Sequence, residues 1–214
     1  MGLVYAIADA EALRPMPLPE AVAEMAEAGI RWIQVRAKKL AGGELHRALE
    51  GCCRALEGSG VELWVDDRAD LAALLPVAGV HLGQADLPPE AARRVIGQGV
   101  RIGLSTHSEE QLAAADADPE VDVIAVGPVF PTTGKERPDP VVGLDFVRQA
   151  RAATRKRLVA IGGIDAGNVA QVLAAGADAA AVLGAVCRGD RKGDVRANCR
   201  RLLAAAGLDG CAST

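Results

Sequence analysis

Aromatic side chains are almost missing from this chain: two Trp, two Phe and one Tyr in 214 residues. A core with so few rings must be filled by Ala, Val, Leu and Ile, which suits buried parallel strands covered by Ala-rich helices. Cysteine is sparse as well. Cys52, Cys53, Cys187, Cys199 and Cys211 are odd in number and nowhere spaced C-x-x-C, so neither a disulfide framework nor a structural zinc site follows. The three histidines, His46, His81 and His107, lack the H-E-x-x-H spacing, which disfavours a zinc hydrolase. Positive charge is not in excess, with 24 Lys and Arg against 28 Asp and Glu and no long basic run, so there is no footprint for nucleic acid. No apolar run is long enough for a bilayer, and the first residues lack the basic start and cleavage pattern of a signal peptide. The expectation is a cytoplasmic protein that handles small molecules, with no nucleic-acid or membrane partner; homo-oligomer formation is left open.

What the chain does have is repetition. Eight short apolar runs follow one another: 3–9, 32–37, 61–66, 79–83, 101–106, 121–127, 157–163 and 179–184. Between them lie segments of helical periodicity such as "LPEAVAEMAEAG" and "DVRANCRRLLAAAG", opened by Pro or a capping residue and often closed by Gly. Strands that alternate with helices pair in parallel through right-handed crossovers. Eight repeats predict a closed (β/α)8 barrel, an α/β TIM barrel, as a single domain over residues 1–214. The rival, an open doubly wound sheet, would announce G-x-G-x-x-G after its first strand, and "YAIADAEAL" has none. One Pro/Gly-rich interruption, "PVFPTTGKERPDPVVG" (128–143), is too long for an ordinary turn and is expected to be an active-site loop.

Chemistry in such a barrel collects at the carboxyl ends of the strands. That filter selects Gln34, Arg36 and Lys38 after the second run, Asp66 and Asp67 after the third, and Gln84 and Asp86 after the fourth. It adds Ser105 and His107 after the fifth, Thr132, Thr133 and Lys135 after the sixth, Gly162 and Gly163 after the seventh, and Leu183 and Gly184 after the eighth. Basic residues and Gly-rich turns suit phosphate, while Asp67 and Asp86 suit a hard cation such as Mg²⁺, which takes one or two carboxylates plus phosphate oxygens. A diphosphate substrate would unite the two halves, and a phosphate monoester would fit the glycine turns.

Simpler readings stand beside these. Asp66 and Asp67 could merely cap a helix over "DRADLAALL". His81 fits a satisfied core or bottom-layer residue, His107 an ordinary residue at a helix start, and "IGGIDAG" an ordinary turn. Arg31, Lys39 and Arg68 fit solvated charges. "GPVFPTTGK" is not a Walker A loop, because six residues separate its glycines and Glu136 follows the Lys.

In order, "IQVRAK", "VDDRADLA", "GVHLGQADLP", "IGLSTHS", "GPVFPTTGK", "AIGGI" and "AAGADAAAVLGAV" resemble the thiamine-phosphate synthase family over nearly the whole chain. That resemblance implies joining hydroxymethylpyrimidine diphosphate to hydroxyethylthiazole phosphate with release of diphosphate. It implies Mg²⁺ on Asp67 and Asp86, and the diphosphate substrate on Gln34, Arg36, Lys38 and Asp66. Ser105 would lie near the pyrimidine and Lys135 on the leaving group, with Lys135, Arg36 and Ser105 the catalytic residues. Thr132, Gly163, Leu183 and Gly184 would meet the thiazole phosphate. Three positions depart from the family's habit: Asp66 where Asn is usual, Gly134 where Thr is usual, and Gly184 where Ser is usual. A related branch, thiazole tautomerase, resembles the chain less, since it places His at the position of Pro128 and lacks the acid corresponding to Asp86. A non-catalytic barrel would not need this set of charges.

Overall fold

The computed structural model describes residues 2–132, 140–189 and 193–208. Strands β1 (Leu3–Asp9), β2 (Trp32–Arg36), β3 (Glu62–Asp66), β4 (Gly79–Leu82), β5 (Arg101–Thr106), β6 (Val123–Val126), β7 (Arg157–Ile161) and β8 (Ala179–Val182) each precede a helix. The helices are α1 (Leu18–Glu27), α2 (Gly42–Ala55), α3 (Ala69–Ala72), α4 (Pro89–Ile96), α5 (Glu109–Ala117), α6 (Gly143–Ala153), α7 (Val169–Ala174) and α8 (Asp194–Ala205). Neighbouring strands pair in parallel and in chain order, and β8 returns to β1, so the sheet closes into a (β/α)8 barrel. Among the described residues no helix is long and apolar enough to cross a membrane.

Helix starts follow the expected chemistry. Prolines open α1 and α4, and the Ser108 hydroxyl accepts the Gln111 amide to cap α5. The helix expected over "DRADLAALL" shrinks to one turn, α3. Pro76 drives the residue before it out of the helical region, which limits how far the turn can run.

Two cores result. Between barrel and helices the filling is mostly aliphatic, as composition implies, with Phe146 among it. Inside the barrel it is not: Tyr5, Trp32 and Trp64, three of the chain's five rings, pack together there. Tyr5 stacks on Trp32 at 4.1 Å between centroids, and Trp32 lies 5.4 Å from Trp64. Ala179 and Ala181 of β8, which adjoins β1, and Ala125 of β6 pack in the same cluster. Large rings fill the room that the alanines leave, which is how a closed barrel reaches normal packing density. Below them Glu62 bridges Arg101 (3.0 Å) and Arg157 (3.2 Å), and Arg157 covers the Trp32 ring at 3.8 Å. This aromatic and ionic layer makes a rigid floor under the carboxyl ends of the strands.

Candidate active site

Parallel register sets the site's upper rim. Arg36 ends β2 directly across from Asp9, which ends β1, and its Nη1 donates to Asp9 Oδ2. Asp9 is buried, and its other oxygen accepts the amides of Glu11 (3.0 Å) and Ala12 (2.9 Å). On its far side Arg36 places Nε 3.7 Å from Asp66 Oδ2. Gln34, two residues earlier on the same face of β2, donates Nε2 to Asp66 Oδ1 at 2.8 Å. Lys38 lies 3.2 Å from Asp66 and is bonded to Asp67. Residues that the sequence placed after two different strands thus meet in one ionic network.

The electrostatics answer what a second acid does beside Asp67. Burial pushes the Asp66 carboxyl up to about 6, the charge of Asp67 pushes the same way, and Lys38 and Arg36 offset part of it. Burial alone would lower the Lys38 ammonium, but the two carboxylates outweigh it and raise its pKa, so it stays charged. Asp66 is therefore paired with both cations and takes up a proton near pH 6.

Asp67 is no helix cap. Arg68 holds the position before α3, and no side chain there accepts a helix amide. Among the described residues Asp67 is the one non-glycine with positive φ, at 59°. A left-handed backbone at such a residue costs on the order of 1–3 kcal/mol and persists only where surroundings enforce it. Its amide is tied to the His81 carbonyl at 2.9 Å, and its carboxyl reaches both Lys38 and Asp86. Burial raises the Asp67 pKa, Lys38 works against that, and the Asp86 carboxylate adds to it. Asp86 is itself held by the Gly83 amide, which donates to its Oδ2 at 2.8 Å. Two carboxylates pressed together against their mutual repulsion form a donor set suited to a hard divalent cation completed by substrate oxygens and water. No cluster of three or more His, Cys, Asp or Glu side chains able to hold a metal occurs among the described residues, which leaves this pair as the candidate.

Ser105, at the upper end of β5, meets His81 Nε2 at 2.9 Å, and its carbonyl accepts Gln84 Nε2 at 2.6 Å. This refines the expectation for His81. The ring is buried as foreseen, but it lies beside a site residue rather than in the bottom layer, and its Nδ1 has no partner. That nitrogen packs against Gly103, where a Cβ would sit 2.5 Å from it, so only glycine admits the ring. Burial lowers the His81 pKa to about 4, leaving a neutral imidazole. His107 is also more than a helix-start residue: its Nδ1 lies 2.6 Å from the Gly127 carbonyl, tying the end of β5 to that of β6.

After β6 the chain runs along the turn that follows β7. Val129 donates to the Ile161 carbonyl at 2.9 Å and Phe130 to the Gly162 carbonyl at 3.0 Å. Gly163, at φ 65°, faces this segment so closely that a Cβ would lie 2.6 Å from the Pro131 carbonyl oxygen. Half-buried Thr132 continues from there. Leu183 opens a helical turn closed by the Cys187 amide at 3.0 Å, and Gly184 faces open space. Thr133, Gly134 and Lys135 lie outside the described residues.

Asp9 and the orienting position of His81 escaped the sequence reading. The first could have been found, because the first apolar run ends in an acid just as the third does. The second could not, because register alone places His81 across from Gly103 and near Ser105.

The family model described as "Thiamine monophosphate synthase" matches residues 4–186. A thiamine-phosphate synthase from Koribacter versatilis is 45% identical over 184 residues, covering 84% of this chain and 86% of that protein. One from Methanocella arvoryzae is 39% identical, covering 94% and 93%. The solved structure of a thiamine phosphate pyrophosphorylase from Pyrococcus furiosus superposes with a TM-score of 0.84 at 31% identity, covering 96% of this chain and 95% of that one.

Proposed function

The chain belongs to the thiamine monophosphate synthase family and is a transferase of thiamine biosynthesis, and we propose how its residues divide that work. The substrates are hydroxymethylpyrimidine diphosphate and hydroxyethylthiazole phosphate. The bond between the pyrimidine methylene carbon and the diphosphate oxygen breaks, the electron pair leaves with diphosphate, and the thiazole nitrogen supplies a new pair to the methylene carbon. Charge on the leaving group must be stabilised, and no general base is required.

One observation carries this reading: Lys38 is bonded to Asp67, whose carboxyl meets that of Asp86, and both Lys38 and Arg36 pair with the adjacent Asp66. Arg36 and Lys38 bind the diphosphate, with Gln34 and Asp66 setting their positions. Ser105 orients the pyrimidine, supported by His81. Asp67 and Asp86 hold Mg²⁺, which when bound neutralises diphosphate charge. Thr132, Gly163, Leu183 and Gly184 border the thiazole phosphate, and Lys135, in the active-site loop over 128–143, meets the leaving group. The enzyme works in the cytoplasm, in keeping with four free cysteines among the described residues.

Incubating the protein with both substrates and Mg²⁺ is expected to yield thiamine phosphate and diphosphate in equal amounts. Consumption of neither substrate, or rearrangement of a thiazole carboxylate phosphate alone, would overturn the proposal.

A further inference from the structure

Arg36 stands between two acids. Asp9 holds Nη1 from the β1 side, and Asp66 faces Nε from the β3 side at 3.7 Å. A guanidinium held by both is fixed in direction; loss of Asp9 lets it turn to close the 3.7 Å gap to Asp66, whereas loss of Asp66 leaves it bonded to Asp9 as before. Asp9 suits a fixed grip because it cannot move. It is 3% exposed, and its second oxygen is anchored by the Glu11 and Ala12 amides. The same two amides belong to the segment whose Glu11 pairs with Lys39 at 2.6 Å, so Asp9 also locks the β1 loop to the β2 loop.

We infer that Asp9 is a positioning residue: it counterbalances Asp66 and holds the Arg36 guanidinium where the diphosphate binds. The inference rests on the assignment of Arg36 to the diphosphate. Without the Asp9 charge, Arg36 turns toward Asp66, pairs with it more fully, and is withdrawn from substrate.

Asp9→Asn isolates this role, because the Asn carbonyl still accepts the Glu11 and Ala12 amides while the charge facing Arg36 is gone. The expected result is a KM for the pyrimidine diphosphate raised about tenfold, as for modest misplacement of a binding group. The KM for the thiazole phosphate and the melting temperature stay near those of the unmodified enzyme. In an Arg36→Ala background, Asp9→Asn adds nothing further, since its effect passes through Arg36. An equal loss in that background, or parallel rises in both KM values, would assign Asp9 a purely structural role and overturn the inference. Unchanged constants for Asp9→Asn beside an impaired Arg36→Ala would also overturn it while leaving Arg36 in place. If Arg36→Ala itself leaves the diphosphate KM unchanged, the assignment of Arg36 fails and takes this inference with it. Should Asp9→Asn not fold, Asp9→Glu keeps the charge but moves the carboxylate by one methylene. The same selective rise in KM is expected from it, and an unchanged KM is the contrary outcome.

Discussion

The imidazole of His81 and the hydroxyl of Ser105 meet at 2.9 Å inside the barrel, with the histidine held neutral by burial. A neutral ring can give or take a hydrogen bond without bringing charge beside the proposed pyrimidine position. His81→Gln, which retains a hydrogen-bonding amide, is expected to keep more activity than His81→Leu. In a Ser105→Ala background the two are expected to be equivalent. Turnover of the four variants checks this, and equal losses from Gln and Leu with Ser105 present would contradict it.

Acid stability follows from two buried groups of opposite sign. His81 falls from its ordinary 6.5 to about 4, so the unfolded chain binds the extra proton, and His81's contribution is lost as pH drops from 6.5 toward 4. Asp66 rises from 3.8 to about 6, so the folded chain binds the extra proton, and its contribution is lost as pH climbs through 6. Each is on the order of 3 kcal/mol, and between pH 4 and 6 they oppose. Asp66→Asn is therefore expected to lose stability toward pH 4 more steeply than the parent, and His81→Leu less steeply. Denaturant melts at pH 4, 5, 6 and 7 with chelator present read the slopes directly.

Asp86→Asn keeps an oxygen to accept the Gly83 amide but removes one charge from the acid pair. A rate loss of roughly 100-fold, only partly recovered by added Mg²⁺, is expected from the weakened hold on the cation. The melting temperature should change little, because a strand-end acid supports no core. A Mg²⁺ titration of turnover, beside a thermal melt, tests both halves.

Asp66→Asn preserves the partner of Gln34 Nε2 while removing negative charge beside the proposed diphosphate site. The expected outcome is an active enzyme with an equal or lower KM for the pyrimidine diphosphate. A dead variant would mean that the acid has a task of its own.

The two glycines flanking the proposed thiazole phosphate site should respond in opposite ways. Gly184 faces open space, so Gly184→Ser is expected to fold normally and to bind thiazole phosphate as well as the parent or better. Gly163→Ala would force a Cβ against the Pro131 carbonyl at a positive φ, and a loss of thiazole phosphate binding is expected. Titrating both variants with thiazole phosphate separates them.

The barrel was legible because strand and helix periods alternate eight times and a closed parallel sheet is the arrangement that buries both faces of every strand. Strand-end position then put Gln34, Arg36, Lys38, Asp66, Asp67 and Asp86 on one rim, where the structure brings them into contact. What the sequence did not display was lateral pairing. That Asp9 rather than substrate alone would hold Arg36, and that His81 would lie beside Ser105, depend on register between strands far apart in the chain. Composition also misdirected the reading of the interior, since so few rings gave no sign that most of them would gather in one place.

That gathering has a consequence for traffic. Tyr5, Trp32 and Trp64 are each at most 1% exposed, and Glu62 with its two arginines closes the layer beneath them, so nothing passes along the barrel axis. The proposed site at the strand ends is therefore approached from the loop side of the barrel, and both substrates and both products of the proposed reaction would share that side.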